Sequence, residues 1–141
     1  MRVIFFLVLS LLTMIGCAKS GPQVVPVSGK VTYKGNPYPN IFLNFEPENG
    51  RPSWAQVDDS GNYTAKYDGT QDGAITGKHK VWISYRAKDP REEMIEKGFV
   101  KGKSSRPQNM GEILAKFGNR ETTPLVIDIT KAESNLEIKL D

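Results

Sequence analysis

The residues that carry most enzyme chemistry are scarce in this chain, which has one His, His79, and one Cys, Cys17. A catalytic zinc site needs three protein ligands, but the close polar neighbours of His79 are Lys78 and Lys80. The sequence also has no Gly-x-Ser-x-Gly motif, the turn that carries the nucleophilic serine in many hydrolases. We therefore expect a non-enzymatic protein with no catalytic residues, metal or cofactor, in which His79 is a packed or rim residue.

Two Asp-rich segments, 58–62 and 68–73, carry oxygen atoms that a calcium ion could use, jointly with Glu46. Neither segment has the spacing of an EF-hand loop. Asp, Asn and Gly are also the residues that tight turns require. We interpret both segments as turns and keep calcium as the alternative.

A basic stretch follows in residues 86–120, which hold 9 basic and 5 acidic side chains. Its middle part has no acidic residue between Lys97 and Arg106, and Lys101 and Lys103 lie between them. These four side chains form a candidate interaction surface for anionic lipid headgroups or an envelope polymer. The alternative is an ordinary solvated loop.

Three aromatic side chains are expected to be accessible: Trp54, Trp82 and Tyr38. Sugars stack on such rings, so these residues predict a possible glycan-binding surface. Core packing is the alternative, and it is the role expected of the other four tyrosines.

The beginning of the chain has the features of an export signal: Arg2, then a nearly unbroken apolar run over 3–15. This run is short for a membrane span. Residues 14–17, Met-Ile-Gly-Cys, resemble the lipobox of bacterial lipoproteins. That resemblance implies cleavage between Gly16 and Cys17, lipid attachment to Cys17, and an exported protein of the cell envelope. Ala18 after the Cys resembles lipoproteins that are sorted to the outer membrane, where this protein would face the periplasm.

The chain after this signal alternates apolar and polar residues in short segments separated by Gly, Pro, Asn and Asp, which indicates an antiparallel all-β domain. In the first two segments the odd positions are apolar and should face the core. We predict a seven-stranded Ig-like or prealbumin-like sandwich with strands at 25–33, 41–45, 54–57, 62–67, 78–85, 125–129 and 136–140.

Helical signals interrupt the strands in a predicted insertion, 86–120. One helix is predicted to follow Asp89 and Pro90, with Glu92 completing a capping box. A second, after Asn109, has an apolar face that must be covered. We expect the insertion to cover an outer sheet face; the alternative is that the outward-facing apolar residues are singly exposed. The residues of these two surfaces are Met110, Ile113, Leu114 and Phe117 on the helix, and Phe42, Trp82 and Val126 on the sheet.

Several segments also match a family pattern in order and spacing: the opening strand and turn, the end of strand two, the first hairpin, the loop into strand five and the return to strand six. They lie at 27–37, 45–47, 59–63, 72–81, 116–117 and 122–125. Together with the lipobox they resemble the transthyretin-like, or carboxypeptidase regulatory-like, sandwich domains of small lipoproteins from planctomycete-type bacteria. The resemblance implies a non-catalytic domain on the cell envelope.

These observations predict a signal peptide at 1–16, a lipidated Cys and tether at 17–23, and a sandwich domain at 24–141. From Cys17 onward the chain carries 18 basic and 16 acidic side chains, a balance that argues against nucleic-acid binding. The expected partners are the membrane, through the lipid, and an envelope protein; the alternative function is a glycan-binding module.

Overall fold

The computed structural model describes residues 23–141, so the predicted signal peptide, its cleavage site and Cys17 lie outside the described residues. The described part contains ten strands and two helices. In chain order they are β1 (Val24–Val25), β2 (Val27–Tyr33), β3 (Asn36–Pro37), β4 (Phe42–Pro47), β5 (Ser53–Gln56), β6 (Asn62–Thr64), β7 (Ala74–Ile75), β8 (Gly77–Ser84), α1 (Pro90–Glu96), α2 (Met110–Phe117), β9 (Val126–Ile129) and β10 (Glu133–Lys139).

The strands form two larger sheets and one small pair. One sheet is antiparallel throughout, in the order β5-β4-β8-β9. The other is built on β2, which pairs with β10 and with both β3 and β6. A short antiparallel pair, β1 and β7, completes the arrangement.

The structure is thus mostly β with several antiparallel sheets, consistent with an all-β sandwich, but the predicted seven-stranded antiparallel layout is wrong. Three of the ten described strands, β1, β3 and β7, are only two residues long, too short to show alternation. The last strand, β10, runs parallel to β2 near the start of the chain. The alternation of residues within a strand does not show which distant strand it pairs with, or in which direction.

The core lies between the two larger sheets. The predicted inward positions of β2 and β4 are confirmed: Val27, Val31, Leu43 and Phe45 are buried in one apolar cluster. The neighbouring strands β8 and β10 add further side chains to this cluster, among them Ile83 and Ile138.

Gly29 marks the closest approach of two strands. A Cβ atom at this position would lie 1.9 Å from the carbonyl oxygen of Leu136, the residue opposite it in β10. The pairing of these strands also shifts register between Glu133 and Leu136. The absence of a side chain at Gly29 therefore permits the close approach and the register shift with which β10 pairs with β2.

Both helices lie between β8 and β9. The side chain of Asp89 accepts a hydrogen bond from the backbone N–H of Glu92, as the predicted cap requires. The reciprocal half of the capping box differs, since the Glu92 carboxylate accepts from the N–H groups of Lys88 and Ser105. Asn109 precedes α2 without a side-chain cap bond.

The prediction that the insertion's apolar helix covers the outer sheet face is wrong. Met110, Ile113 and Phe117 of α2 are buried in the main core, and α2 contacts β8. On the outer face Val126 remains 55% exposed. The spacing of apolar residues shows that a helix has a covered face, but does not show which surface covers it.

β8 separates two ends of the domain. At the entry end, the carbonyl of Gln23 accepts the N–H of Thr76, just before β8 begins. At the insertion end, β8 stops at Ser84 and the chain continues into α1 and α2. Eight extended residues place these ends about 25 Å apart.

No helix within 23–141 has the length and apolar character of a membrane span.

Candidate functional site

An exposed apolar pair at the insertion end was not predicted from the sequence. Met94 is 45% exposed and Phe99 76% exposed, the highest value among the large apolar side chains of the described residues. Together with Lys97, Lys101 and Lys103, all exposed, they form what we call the insertion tip. The sequence does contain a signal for this pair: an aromatic residue, Phe99, stands directly after Gly98, the glycine that ends a predicted helix.

The main chain holds Phe99 in place. Gly98 has φ of +77° and turns the chain out of α1, a conformation that favours glycine. The N–H of Phe99 then donates to the carbonyl of Met94 at 2.9 Å. The backbone under the exposed ring is therefore hydrogen-bonded to the helix rather than left free.

The loop after Phe99 folds back onto α1. Gly102 lies so close to Ile95 that a Cβ atom there would be 2.5 Å from the Ile95 Cδ1. The Ser104 hydroxyl donates to Glu96 at 2.9 Å, and the N–H of Ser105 donates to Glu92. These contacts hold residues 102–105 of the loop against α1.

Charged and aromatic groups secure α1 to the end of the sheet. The Tyr85 hydroxyl donates to the Glu96 carboxylate, and burial together with this contact raises the pKa of Tyr85 to about 12. The hydrogen bonds from Ser105 and Lys88 lower the pKa of Glu92 below its ordinary value. The insertion is thus fixed next to the end of β8.

The four predicted basic residues have different surroundings. Lys97 pairs with Glu93 one turn earlier, and the Arg106 guanidinium lies 5.5 Å from the centre of the Tyr85 ring. Lys101 and Lys103 make no ion pair in the described part of the chain. Their charged groups have neither an ion pair nor an aromatic ring as partner in this part of the chain, so they are open to contacts with another molecule.

A second surface lies on the outer face of the β5-β4-β8-β9 sheet. Asn44 of β4 is opposite Trp54 on one side and Trp82 on the other, so the three form a row across the strands. Phe42 lies beside this row, its ring centre 6.5 Å from that of Trp54. A shallow depression of about 350 Å³ is lined by Phe42, Asn44, Trp54, Ser84 and Arg86. We call this surface the outer platform.

The predicted aromatic residues divide between this platform and the core. Trp54 is 43% exposed, and Trp82 is half-buried with its Nε1 atom buried and without a partner in the described residues. The prediction that Tyr38 is accessible is wrong, since it is only 7% exposed and packs edge-on against Tyr33. The row formed by Trp54, Asn44 and Trp82 depends on which strands pair, so it could not be recognised from the sequence.

The Asp-rich turns use their carboxylates locally. Asp58 accepts from the N–H groups of Ser60 and Asn62, and Asp68 accepts from Thr70 and Gln71. These bonds lower the pKa of both carboxyls.

The calcium alternative to a pure turn role joins these two segments to Glu46. Glu46 lies 3.5 Å from the Arg120 guanidinium, and residues 23–141 contain no group of three His, Cys, Asp or Glu side chains that could hold a metal ion.

His79 is a packed residue, as one of its two predicted roles required. It is fully buried, its Nε2 lies 2.8 Å from the Ile75 carbonyl, and its ring meets Phe45 edge-on. Its Nδ1 is buried without a partner in the described residues. Because a carbonyl oxygen can only accept, Nε2 is the donor in this contact.

Comparisons with protein-family models, curated proteins and solved structures find no significant match for this chain. Its function must therefore be inferred from the two surfaces and from the sequence signals that precede the domain.

Proposed function

We propose that this chain is a non-enzymatic lipoprotein of the cell envelope, anchored through Cys17 and presenting its β-sandwich for contacts with another protein. The lipobox-like residues 14–17 support cleavage after Gly16 and lipid attachment. Several acyl chains hold a protein on a membrane without a spanning helix. The resemblance to transthyretin-like lipoprotein domains supports a non-catalytic role on the cell envelope, and Ala18 after the Cys supports an outer-membrane location facing the periplasm.

The observation that carries this proposal is the separation of the entry end from the insertion end. Six residues lie between Cys17 and Val24, and they reach about 20 Å at most. The entry end is thus kept near the lipid, while β8 carries the insertion end about 25 Å away. A tip this far from the anchored end supports contacts with a partner beyond the membrane surface.

The anchor is tested by comparing the full-length protein with its Cys17→Ala variant. We expect the unaltered protein to sediment with membranes after a high-salt wash, and the variant to be released or to retain its signal peptide. Mass spectrometry of the unaltered protein should show an acylated N-terminal Cys. An unmodified Cys17, or a variant that fractionates as before with its signal removed, contradicts lipid anchoring.

The outer platform favours glycan binding as a second candidate function. Trp54 offers an exposed ring face, and Asn44, Ser84 and Arg86 place polar groups around it. Apolar ring faces bordered by a few polar groups are suited to sugars. Titration of envelope glycan fragments, followed by tryptophan fluorescence, should then show a change that is lost in Trp54→Ala. The matched control is Phe99→Ala, at the insertion end. No fluorescence change with any fragment would exclude this function.

A further inference from the structure

We infer that the insertion tip binds an acidic protein surface that has an apolar pocket for Phe99. The inference rests on the proposed function, because it takes the entry end to be anchored to the membrane through Cys17. It names the chemistry of the partner and the residue at the centre of the contact.

Phe99 has the properties of an interface anchor. Its ring is 76% exposed, yet its backbone is fixed by the bond to Met94 and by the left-handed turn at Gly98. A large side chain held on an ordered backbone loses little conformational freedom when it binds. Aromatic anchors of this kind fill pockets at the centres of protein interfaces. Met94, 45% exposed, extends the apolar area beside it.

The charge around Phe99 specifies the partner. Lys101 and Lys103 follow it closely in the chain, and no acidic residue lies between Lys97 and Arg106. Among the nearby acidic groups Glu93 pairs with Lys97. Glu92 and Glu96 accept from backbone N–H and neutral hydroxyl groups, so both keep their negative charge.

Residues 88–106 carry six basic and four acidic side chains, so the charge of this part of the insertion is positive, and the complementary surface carries carboxylates around its pocket. Exposed lysines at the rim favour encounter and orientation, while the Phe99 ring, once buried by the partner, supplies the apolar contact.

A phospholipid surface is the other occupant with matching chemistry. An exposed aromatic ring among lysines suits an anionic bilayer as well. However, if the tip were turned onto the bilayer with β8 upright, the entry end would stand about 25 Å away, beyond the roughly 20 Å that the tether reaches. Screening limits the attraction of its lysines to about 8 Å in physiological salt. The geometry thus favours a protein partner over the anchoring membrane.

The test uses the full-length lipoprotein in intact cells with a photo-crosslinking phenylalanine analogue, benzoylphenylalanine, at position 99. After irradiation we expect one protein adduct whose crosslinked peptide is rich in Asp and Glu. Lys101→Glu combined with Lys103→Glu should reduce this adduct about tenfold or more. The charge control, Lys30→Glu with Lys131→Glu, alters exposed lysines elsewhere and should leave it unchanged. The position control carries the analogue at Asn135, which is exposed on β10, and should not give the same adduct.

Three results would overturn the inference: a phospholipid adduct at position 99, no adduct specific to this position, or an adduct that is insensitive to the charge reversal at Lys101 and Lys103. Circular dichroism of each purified variant establishes that it is folded. Failure of the proposed anchor is separately visible, since it appears in the sedimentation of the Cys17→Ala variant and not in the crosslinking pattern.

Discussion

The carboxylate of Glu92 in α1 accepts the backbone N–H of Ser105, thirteen residues further along the chain. The other oxygen of the same carboxylate accepts the N–H of Lys88 before the helix. One side chain thus joins residue 88, before α1, to residue 105, in the loop after α1.

Replacing Glu92 with Gln should loosen the insertion without unfolding the sandwich. A Gln side chain has one acceptor oxygen and an NH₂ group, so it cannot accept from both Lys88 and Ser105. Hydrogen exchange measured by mass spectrometry should therefore become faster at 97–106 and remain unchanged in β4 and β8. Glu93→Gln is the matched control, because that carboxylate is exposed and pairs only with Lys97. Equal exchange in the two variants would contradict the role assigned to Glu92.

Acid should open the insertion through the same carboxylate. The pKa of Glu92 is lower in the folded protein than its ordinary value of 4.5, so the charged form stabilises the folded insertion. This contribution is fully present above pH 4.5 and is lost as pH falls through the lowered pKa. Exchange at 97–106 should rise in that acidic range, after correction for intrinsic rates, more steeply in the unaltered protein than in Glu92→Gln. Parallel profiles for the two proteins would argue against this linkage.

Phe117 and Phe99 should differ sharply in their effects on stability. Phe117 of α2 is buried in the main core, so Phe117→Ala should lower the free energy of unfolding by about 3–5 kcal/mol. Phe99→Ala removes an exposed ring and should change it by no more than about 0.5 kcal/mol. Urea denaturation followed by circular dichroism measures both. A small effect at Phe117 would mean that α2 does not belong to the core.

Gly29 should not tolerate even a methyl group. Gly29→Ala places its Cβ against the Leu136 carbonyl, which is main chain and cannot move without shifting β10. We expect a loss of at least about 2 kcal/mol in the free energy of unfolding, at the upper part of the range for overpacked sites. Gly69→Ala serves as the control, since nothing lies within 4 Å of a Cβ atom there. If both variants unfold at the same urea concentration, the close approach of β10 to β2 is not present in solution.

Local patterns in the amino-acid sequence determined the longer strands and the helix starts. Alternation over five or more residues is enough to place Leu43 and Phe45 on a buried face, because side chains of a strand alternate between its two faces. The cap at Asp89 could likewise be predicted, since its partner is the N–H only three residues away. The signals for these elements and for the predicted lipid attachment act within a few neighbouring residues.

The tertiary structure decided everything that depends on distant segments. It placed β10 parallel to β2, brought Trp54 and Trp82 to either side of Asn44, and buried Tyr38, which was expected to be accessible. It also left Phe99 exposed while α2 entered the core. An apolar residue is favoured wherever water is excluded, so its type does not identify its neighbours. Only the pairing of strands far apart in the chain determines which apolar faces are covered and which stay open to a partner.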